Sequence, residues 1–184
     1  MLLEEITENV DIKKNSAEKV RKKRTVTYYA LKFFVKIAFT VLAVWLLCTY
    51  VIGVFVNHAH SAYPMIKDGD LCITYRLGKL SQGDAVVYTA DGMVRYGRLI
   101  AMEGDVVDVS NDCVTVNGYL LYEDTIYPTT SEDSSIEYPY TVPDGCVFLL
   151  NDFRSDTLDS RTYGGIPLDN TNGKIVFLIR KRGI

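Results

Sequence analysis

The chain has 184 residues, 48% of them apolar and 23% charged, with a formal net charge of −3. This length and apolar content allow one globular domain of ordinary size with a hydrophobic core. The four cysteines show no CxxC or Cys/His spacing, which excludes a recognisable metal site, and we expect no cofactor. Three of them lie outside the apolar run described below, an odd number. A disulfide between Cys113 and Cys146 is therefore the less favoured alternative to free thiols.

A basic tail with weak helical character, residues 1–30, precedes this apolar run. Residues 1–36 carry nine Lys or Arg and five Asp or Glu, a balance of +4, whereas residues 57–184 carry eleven and eighteen, a balance of −7. By the positive-inside rule, the cluster from Lys19 to Arg24 predicts a cytoplasmic N-terminus and an extracytoplasmic C-terminal domain. The alternative is a nucleic-acid-binding arm. The position of the cluster beside a membrane segment argues against it, so we expect no nucleic-acid partner.

The twenty residues from Ile37 to Val56 carry no charge. A helix needs about 20 apolar residues to cross the hydrocarbon core, so this run predicts a membrane-spanning helix. The run is longer and begins later than the apolar part of a cleaved signal peptide, and we expect it to remain as an anchor. We assign the anchor to residues 31–56, including the interfacial aromatic residues in front of the run. The prediction is a single-pass protein of the plasma membrane, in contact with the lipid bilayer.

Beyond Pro64 the pattern changes to short apolar strands separated by turn signals. Asp91-Gly92 predicts a hairpin between the strands 85–88 and 93–100. Further strands are predicted at residues 71–75, 106–109, 113–116, 147–150 and 174–179. The acidic, Ser/Thr-rich segment 123–140 is interpreted as a surface excursion. Many short strands without a convincing soluble helix predict a mostly β domain over residues 57–184, an antiparallel barrel or sandwich.

Ser61 is separated from the apolar run by only four residues. A chain covers at most about 3.6 Å per residue, so Ser61 must lie within roughly 15–20 Å of the membrane surface. A serine becomes a nucleophile only beside a base, which is a His or a Lys whose pKa desolvation has lowered. Taken alone, Ser61 is an ordinary serine.

The residues that follow form an ordered series of motifs. Ser61-x-x-Pro64 is followed by Gly-Asp pairs at 69–70, 83–84 and 104–105, and then by the run NDFRSDTLDSR over residues 151–161. This series resembles type I signal peptidase, whose pattern begins S-M-x-P-T-L, continues through K-R-x-x-G-x-P-G-D, and ends with G-D-N-R-x-x-S-x-D-S-R. The resemblance covers residues 57–180. Five residues of the last motif fall at the family's spacing: Asp152, Arg154, Asp159, Ser160 and Arg161.

The resemblance implies a β domain of signal peptidase I type on a single N-terminal transmembrane helix. It implies Ser61 as the nucleophile, a Lys as the general base, and secretory precursors as substrates. In the family, the strand after the Ser motif and the strand of the Lys motif line the substrate cleft. The residues implied for the cleft here are Leu71, Ile73, Met93 and Arg95, and those implied for support of the site are Arg98, Thr157, Asp159 and Arg161.

The sequence departs from the family's pattern at the general base. When Gly104-Asp105 is aligned with P-G-D, Gly97 stands at the catalytic Lys and Arg98 at the Arg that follows it. Glycine has no side chain that accepts a proton. Thr157 stands where the family has a Ser that helps to position this Lys. Three further departures lie at Ala62, Met65 and Phe153.

Four other residues are considered as bases: His58, His60, Lys67 and Lys79. The two lysines lie on connections between strands, where a solvated amine stays protonated. The two histidines are near Ser61 in sequence, but neighbouring side chains of an extended segment point to opposite faces. We interpret His58 as an interfacial residue. Losing one catalytic group costs roughly 10⁴–10⁶ in rate, so only weak residual turnover is expected.

Three functions therefore remain open. The leading hypothesis is a catalytically impaired accessory protein or chaperone in pilus or surface-protein assembly of Gram-positive bacteria. Its partners would be a membrane-bound secretory or pilin precursor, held by strand addition, and a sortase. The alternative is an active signal peptidase that uses a non-standard base, and the third is an anchored domain with a structural role. Retention of Ser61 favours the enzyme, whereas Gly97 favours the binding protein.

Overall fold

The computed structural model describes residues 2–58, 60–110, 112–122 and 127–180. The chain divides into two compact units, Met1–Leu47 and Cys48–Ile184. The N-terminal unit is helical, and the C-terminal unit is built almost entirely from β-strands. This agrees with the mostly β domain and the N-terminal helix that the sequence predicts.

Helix α1 spans Leu2–Tyr50 and includes the basic tail as well as the apolar run. This stretch contains neither Gly nor Pro, the two residues least favourable in a helix interior, which explains its continuity. Its segment Thr25–Tyr50 has 26 residues, a mean hydropathy of 2.1 and no buried positions. By length and composition, this segment is able to cross a membrane.

The helix ends at Tyr50, and strand β1 (Ile52–Val56) follows after a single residue. The prediction that the anchor continues to residue 56 is therefore wrong. Each residue of β1 has an antiparallel partner in strand β2 (Leu71–Tyr75). The segment is rich in β-branched and aromatic residues and contains Gly53, which favours a strand over a helix. Apolar content alone does not distinguish the two structures.

The remaining strands form two antiparallel sheets. The larger has the order β1-β2-β11-β3-β4-β9-β10, and the smaller has the order β7-β6-β5-β8. Their bounds are β3 Ala85–Ala90, β4 Met93–Ala101, β5 Val106–Ser110, β6 Cys113–Val116, β7 Tyr119–Leu120, β8 Tyr140–Thr141, β9 Cys146–Leu150, β10 Ile166–Pro167 and β11 Thr171–Ile179. A short helix α2 (Ser160–Tyr163) and a 3₁₀ turn (Leu168–Asn170) lie between β9 and β11.

The larger sheet buries residues on both of its faces. Val87 and Tyr96 are opposite each other on β3 and β4, and they pack with Ala62, so we call this side the Ala62 face. Val86 and Gly97 are the neighbouring opposite pair, and since side chains alternate along a strand they point to the other side, the Gly97 face. The core of the Gly97 face contains the buried residues Val86, Tyr88, Leu99, Val147, Leu149 and Ile166.

The described part of segment 123–140 is not the free surface excursion that its composition predicts. Ile136, Tyr138 and Tyr140 pack against the core between the two sheets. The described acidic residues around them are exposed. The acidic composition therefore reflects the solvent-facing residues of the segment, and it did not reveal the apolar residues that anchor it. Cys113 and Cys146 are free thiols.

Candidate active site

Ser61 lies in the turn between β1 and β2 and is buried, with only 5% of its surface exposed. Its carbonyl accepts a hydrogen bond from the backbone N–H of Phe153 at 3.0 Å. Ala62 and Ile66 bury their side chains on the Ala62 face, and the N–H of Ile66 donates to the carbonyl of Ala62 at 2.8 Å. The backbone of Ser61 is therefore held against both the sheet and the last motif.

The two ends of the Ser61 loop are closed by residues that sequence reasoning missed. The N–H of Asn57 donates to the carbonyl of Asp70 at 2.9 Å, and the N–H of Gly69 donates back to the carbonyl of Asn57 at 2.8 Å. Asn57 is fully buried, and its side-chain amide donates to the carbonyl of Lys67 at 3.1 Å. The Gly69-Asp70 pair was the available sequence signal, because Asp commonly bonds its own turn backbone.

Arg98 joins three parts of the site on the Ala62 face. Its Nε and Nη2 donate to the two carboxylate oxygens of Asp152, both at 2.8 Å. Its Nη1 donates to the carbonyl of Gly83 at 2.8 Å, and its Nη2 lies 3.0 Å from the sulfur of Met65. A bidentate Arg–carboxylate pair fixes geometry as well as charge. Strand β4, the last motif and the Ser61 loop are thus tied together.

Asp159 and Arg161 form a fully buried ion pair. The Nε and Nη2 of Arg161 donate to the carboxylate at 3.0 Å and 2.8 Å. Asp159 also caps α2 by accepting from the N–H of Arg161, and it accepts from the N–H of Asn151 at 2.9 Å. Burial raises the pKa of Asp159 above its usual value, and the Arg161 guanidinium acts in the opposite direction.

Thr157 belongs to the segment that this ion pair fixes. Arg161 donates to the carbonyls of Arg154 and Asp156, at 2.9 Å and 2.8 Å. The hydroxyl of Thr162 donates to the carbonyl of Thr157 at 2.6 Å. The backbone on both sides of Thr157 is thus held from within the motif.

Gly97 is buried on β4, and its surroundings leave little space for a side chain. A Cβ at this position would lie 3.2 Å from Cε1 of Tyr88, 3.3 Å from Cβ of Leu149 and 3.4 Å from the carbonyl oxygen of Leu150. Among the described residues, the buried hydroxyl of Tyr88 has no hydrogen-bond partner. Burial raises the pKa of Tyr88 far above its usual value, so the phenol stays protonated and offers no base.

The four alternative bases are all exposed. The imidazole of His58 lies 3.5 Å from the carboxylate of Asp68, and its side chain is 79% exposed. His60, Lys67 and Lys79 are exposed as well. None of them has the desolvated environment that turns an amine or imidazole at this site into an efficient base.

The strand register shows which residues of β2 and β4 lie on the same face of the larger sheet. Lys174 of β11 is opposite both Tyr75 of β2 and Val86 of β3, and Val86 is opposite Gly97 of β4. Opposite residues of antiparallel strands point to the same face. Tyr75 and Gly97 therefore share the Gly97 face.

The positions of the four residues implied for the cleft follow from this register. Leu71 and Ile73 lie four and two positions before Tyr75, and Met93 and Arg95 lie four and two positions before Gly97. Residues two positions apart on a strand share a face, so all four point to the Gly97 face. Strands β11 and β3 separate the two pairs. Met93 is 63% exposed, and the guanidinium of Arg95 lies 5.2 Å from the ring centre of Tyr163.

A comparison with known protein families agrees with the motifs. A family model described as signal peptidase, peptidase S26, matches residues 30–179. The chain belongs to the signal peptidase family. The resemblance that the motifs carry is thereby confirmed.

Bacterial signal peptidases are among the relatives of this chain. Signal peptidase I of Bacillus caldolyticus is 29% identical over 144 residues, which cover 70% of this chain and 79% of that protein. Signal peptidase I T of Bacillus subtilis (strain 168) is 27% identical over 167 residues, which cover 84% of this chain and 86% of that protein. A crystal structure of a signal peptidase I from Enterococcus faecalis V583 has 26% identity and a TM-score of 0.46, covering 53% of this chain and 97% of that one.

Membership of the signal peptidase family indicates a class of substrate and a location at a membrane. Signal peptidases act on secreted precursors that carry a signal peptide. The apolar helix and the bacterial relatives indicate a membrane-anchored protein.

Proposed function

We propose that this member of the signal peptidase family binds the signal-peptide region of membrane-bound precursors and is catalytically impaired. The observation that carries the proposal is Gly97, which stands where the family pattern has its general base and is packed by Tyr88 and Leu149. The phenol of Tyr88 is protonated, and the histidines and lysines near the Ser61 loop are solvated. A serine without a base is a weak nucleophile.

In this proposal the other site residues serve as a scaffold. Ser61 keeps the position of the nucleophile, and Arg98, Asp159 and Arg161 hold the surrounding backbone in place. Thr157 keeps the place of a lysine-positioning hydroxyl that has lost its partner. The chain thus retains the frame of a peptidase site without its proton acceptor.

Strand β1 supports binding by strand addition. It is the terminal strand of the larger sheet within the described chain, so one of its edges is open to pairing. Its residues Val54 and Val56 are 59% and 47% exposed, and Phe177 on β11 is 68% exposed. An extended peptide gains affinity from main-chain hydrogen bonds to such an edge, and apolar neighbours suit an apolar client segment.

A substitution on this edge tests the binding function. We expect Val54→Glu to weaken binding of a fluorescent signal peptide to the full-length protein in lipid nanodiscs by about tenfold, because a charge replaces apolar contact. The same change at Leu120, which is 67% exposed on the terminal strand β7 of the smaller sheet, is the matched control and should leave affinity unchanged. Equal effects of the two variants, or no binding by the unaltered protein, would contradict the proposal.

The domain is proposed to face outwards from the plasma membrane. The balance of +4 before the apolar run and −7 after it supports this orientation. We expect protease added to intact protoplasts to digest the chain beyond residue 57 and to leave the N-terminal tail protected. Protection of the domain and digestion of the tail would reverse the orientation.

The client is proposed to be a pilin or another surface-protein precursor of a Gram-positive bacterium, with a sortase as a further partner. An impaired peptidase that holds the signal-peptide region would keep such a precursor at the membrane until a second enzyme acts on it. The second candidate function is cleavage by Ser61 with a non-standard base, which the buried and fixed backbone of Ser61 favours.

A further inference from the structure

Residues Tyr127–Ile136, which we call the strap, contact the last motif (residues 151–161) at three points. The ring of Tyr127 packs edge-on against the ring of Phe153, with 5.1 Å between centroids and an interplanar angle of 84°. The hydroxyl of Thr129 accepts from Nη1 of Arg154 at 2.6 Å. The N–H of Ser135 donates to the carbonyl of Arg161 at 2.8 Å.

The strap is itself fixed to the domain. Thr129 is 2% exposed, and its N–H donates to the carbonyl of Asp112 at 3.2 Å. Ile136 packs against the core between the sheets. Arg154, the donor to Thr129, is also 2% exposed. A buried, hydrogen-bonded contact of this kind gives the strap a defined place, from which it is able to hold a neighbour.

The contact with Phe153 leads directly to Ser61. The N–H of Phe153 is the group that donates to the carbonyl of Ser61 at 3.0 Å. The family pattern has an Asn at this position, and an aromatic ring is what allows the edge-on contact with Tyr127. Two successive contacts therefore connect the strap to the backbone of Ser61 through Phe153.

We propose that Tyr127 is a positioning residue that holds the Ser61 loop in its binding geometry through Phe153. The part of this inference that concerns client binding rests on the proposed function, and the part that concerns the loop does not. Aromatic pairs of this kind shift a local equilibrium by roughly two- to tenfold. Removal of the Tyr127 ring should therefore loosen the hydrogen bond between Phe153 and Ser61 by a similar factor.

Hydrogen exchange with residue resolution tests the proposal on the full-length protein in nanodiscs. In Tyr127→Ala we expect the Phe153 amide to exchange several-fold faster, and the fluorescent signal peptide to bind several-fold more weakly. Tyr127→Phe keeps the ring and should restore both values. The control Tyr122→Ala removes a tyrosine that is 91% exposed on the same stretch of chain and should change neither. Tyr127→Leu, which keeps apolar bulk without a ring, replaces Tyr127→Ala if that variant fails to fold.

Exchange at the Leu149 amide separates a local effect from general loosening. This amide donates to the hydroxyl of Ser160 at 2.9 Å in the buried core and should be unchanged in every variant. The proposal is overturned if Phe153 exchange stays the same in Tyr127→Ala, or if Leu149 accelerates equally. If the unaltered protein does not bind the peptide, the proposed function fails while Phe153 exchange still decides the role of Tyr127.

Discussion

Replacement of Asp159 by alanine is expected to lower the free energy of unfolding by about 3–5 kcal/mol. The substitution leaves the guanidinium of Arg161 fully buried without its carboxylate. It also removes the acceptor of the Asn151 N–H and the cap of α2. Uncompensated burial of a charge is among the most destabilising single changes known in proteins.

Thermal unfolding of the detergent-solubilised protein measures this effect. A loss of this size corresponds to a fall in Tm on the order of 10 °C. Asp159→Asn keeps the shape and part of the hydrogen bonding and should have an intermediate effect. Asp169→Ala is the matched control, because Asp169 is exposed. A Tm of Asp159→Ala equal to that of the control would show that the motif is a solvated turn.

The unaltered protein is expected to leave a signal-peptide substrate intact over times in which a complete Ser/Lys site cleaves it fully. The expected deficit is roughly 10⁴-fold or more, the usual cost of losing one member of a catalytic set. Cleavage is measured by mass spectrometry in nanodiscs, with Ser61→Ala as the background. Efficient cleavage that disappears in Ser61→Ala would overturn the impaired reading and would assign the base to an exposed group such as His60.

Gly97→Lys is expected to introduce measurable cleavage that depends on Ser61. The apolar surroundings of Tyr88 and Leu149 favour the neutral, proton-accepting form of an amine. The gain should be partial, because the contact of 3.2 Å requires the Tyr88 ring to shift by a few tenths of an ångström. Gly97→Met is the matched control, since it adds a side chain of similar length without a base. Equal cleavage by both variants would show that the amine is not the cause.

The motifs allowed most of the β domain and the frame of the site to be predicted from the sequence. Asp159 and Arg161 were recognisable because an ordered motif preserves spacing, and spacing sets which groups meet within one short segment. Strand β1 was missed because an apolar run has the same composition in a membrane helix and in a buried strand. Its pairing with β2 depends on a contact across fifteen or more residues, which local pattern does not contain.

The contacts made at a distance were equally hidden. The packing of Tyr88 over Gly97 joins two strands through their register, and the contact of Tyr127 with Phe153 crosses 26 positions of the chain. The strap has a polar composition because more of its residues face solvent than contact the rest of the domain. Sequence reasoning therefore found the residues with named chemistry and missed those that act by holding a neighbour.

The burial of Ser61 has a consequence for how such proteins are counted. Reagents that label serine hydrolases report two properties together, the reactivity of the hydroxyl and its access to the reagent. Ser61 is 5% exposed, and under the proposed function it also lacks an efficient base, so it would fail on both. Under that proposal, a chemical survey of a cell envelope would record no signal from this chain, although Ser61 is present in a folded loop. Surveys of that kind count reactive serines, and they would pass over a family member that binds signal peptides without cleaving them, as proposed for this chain.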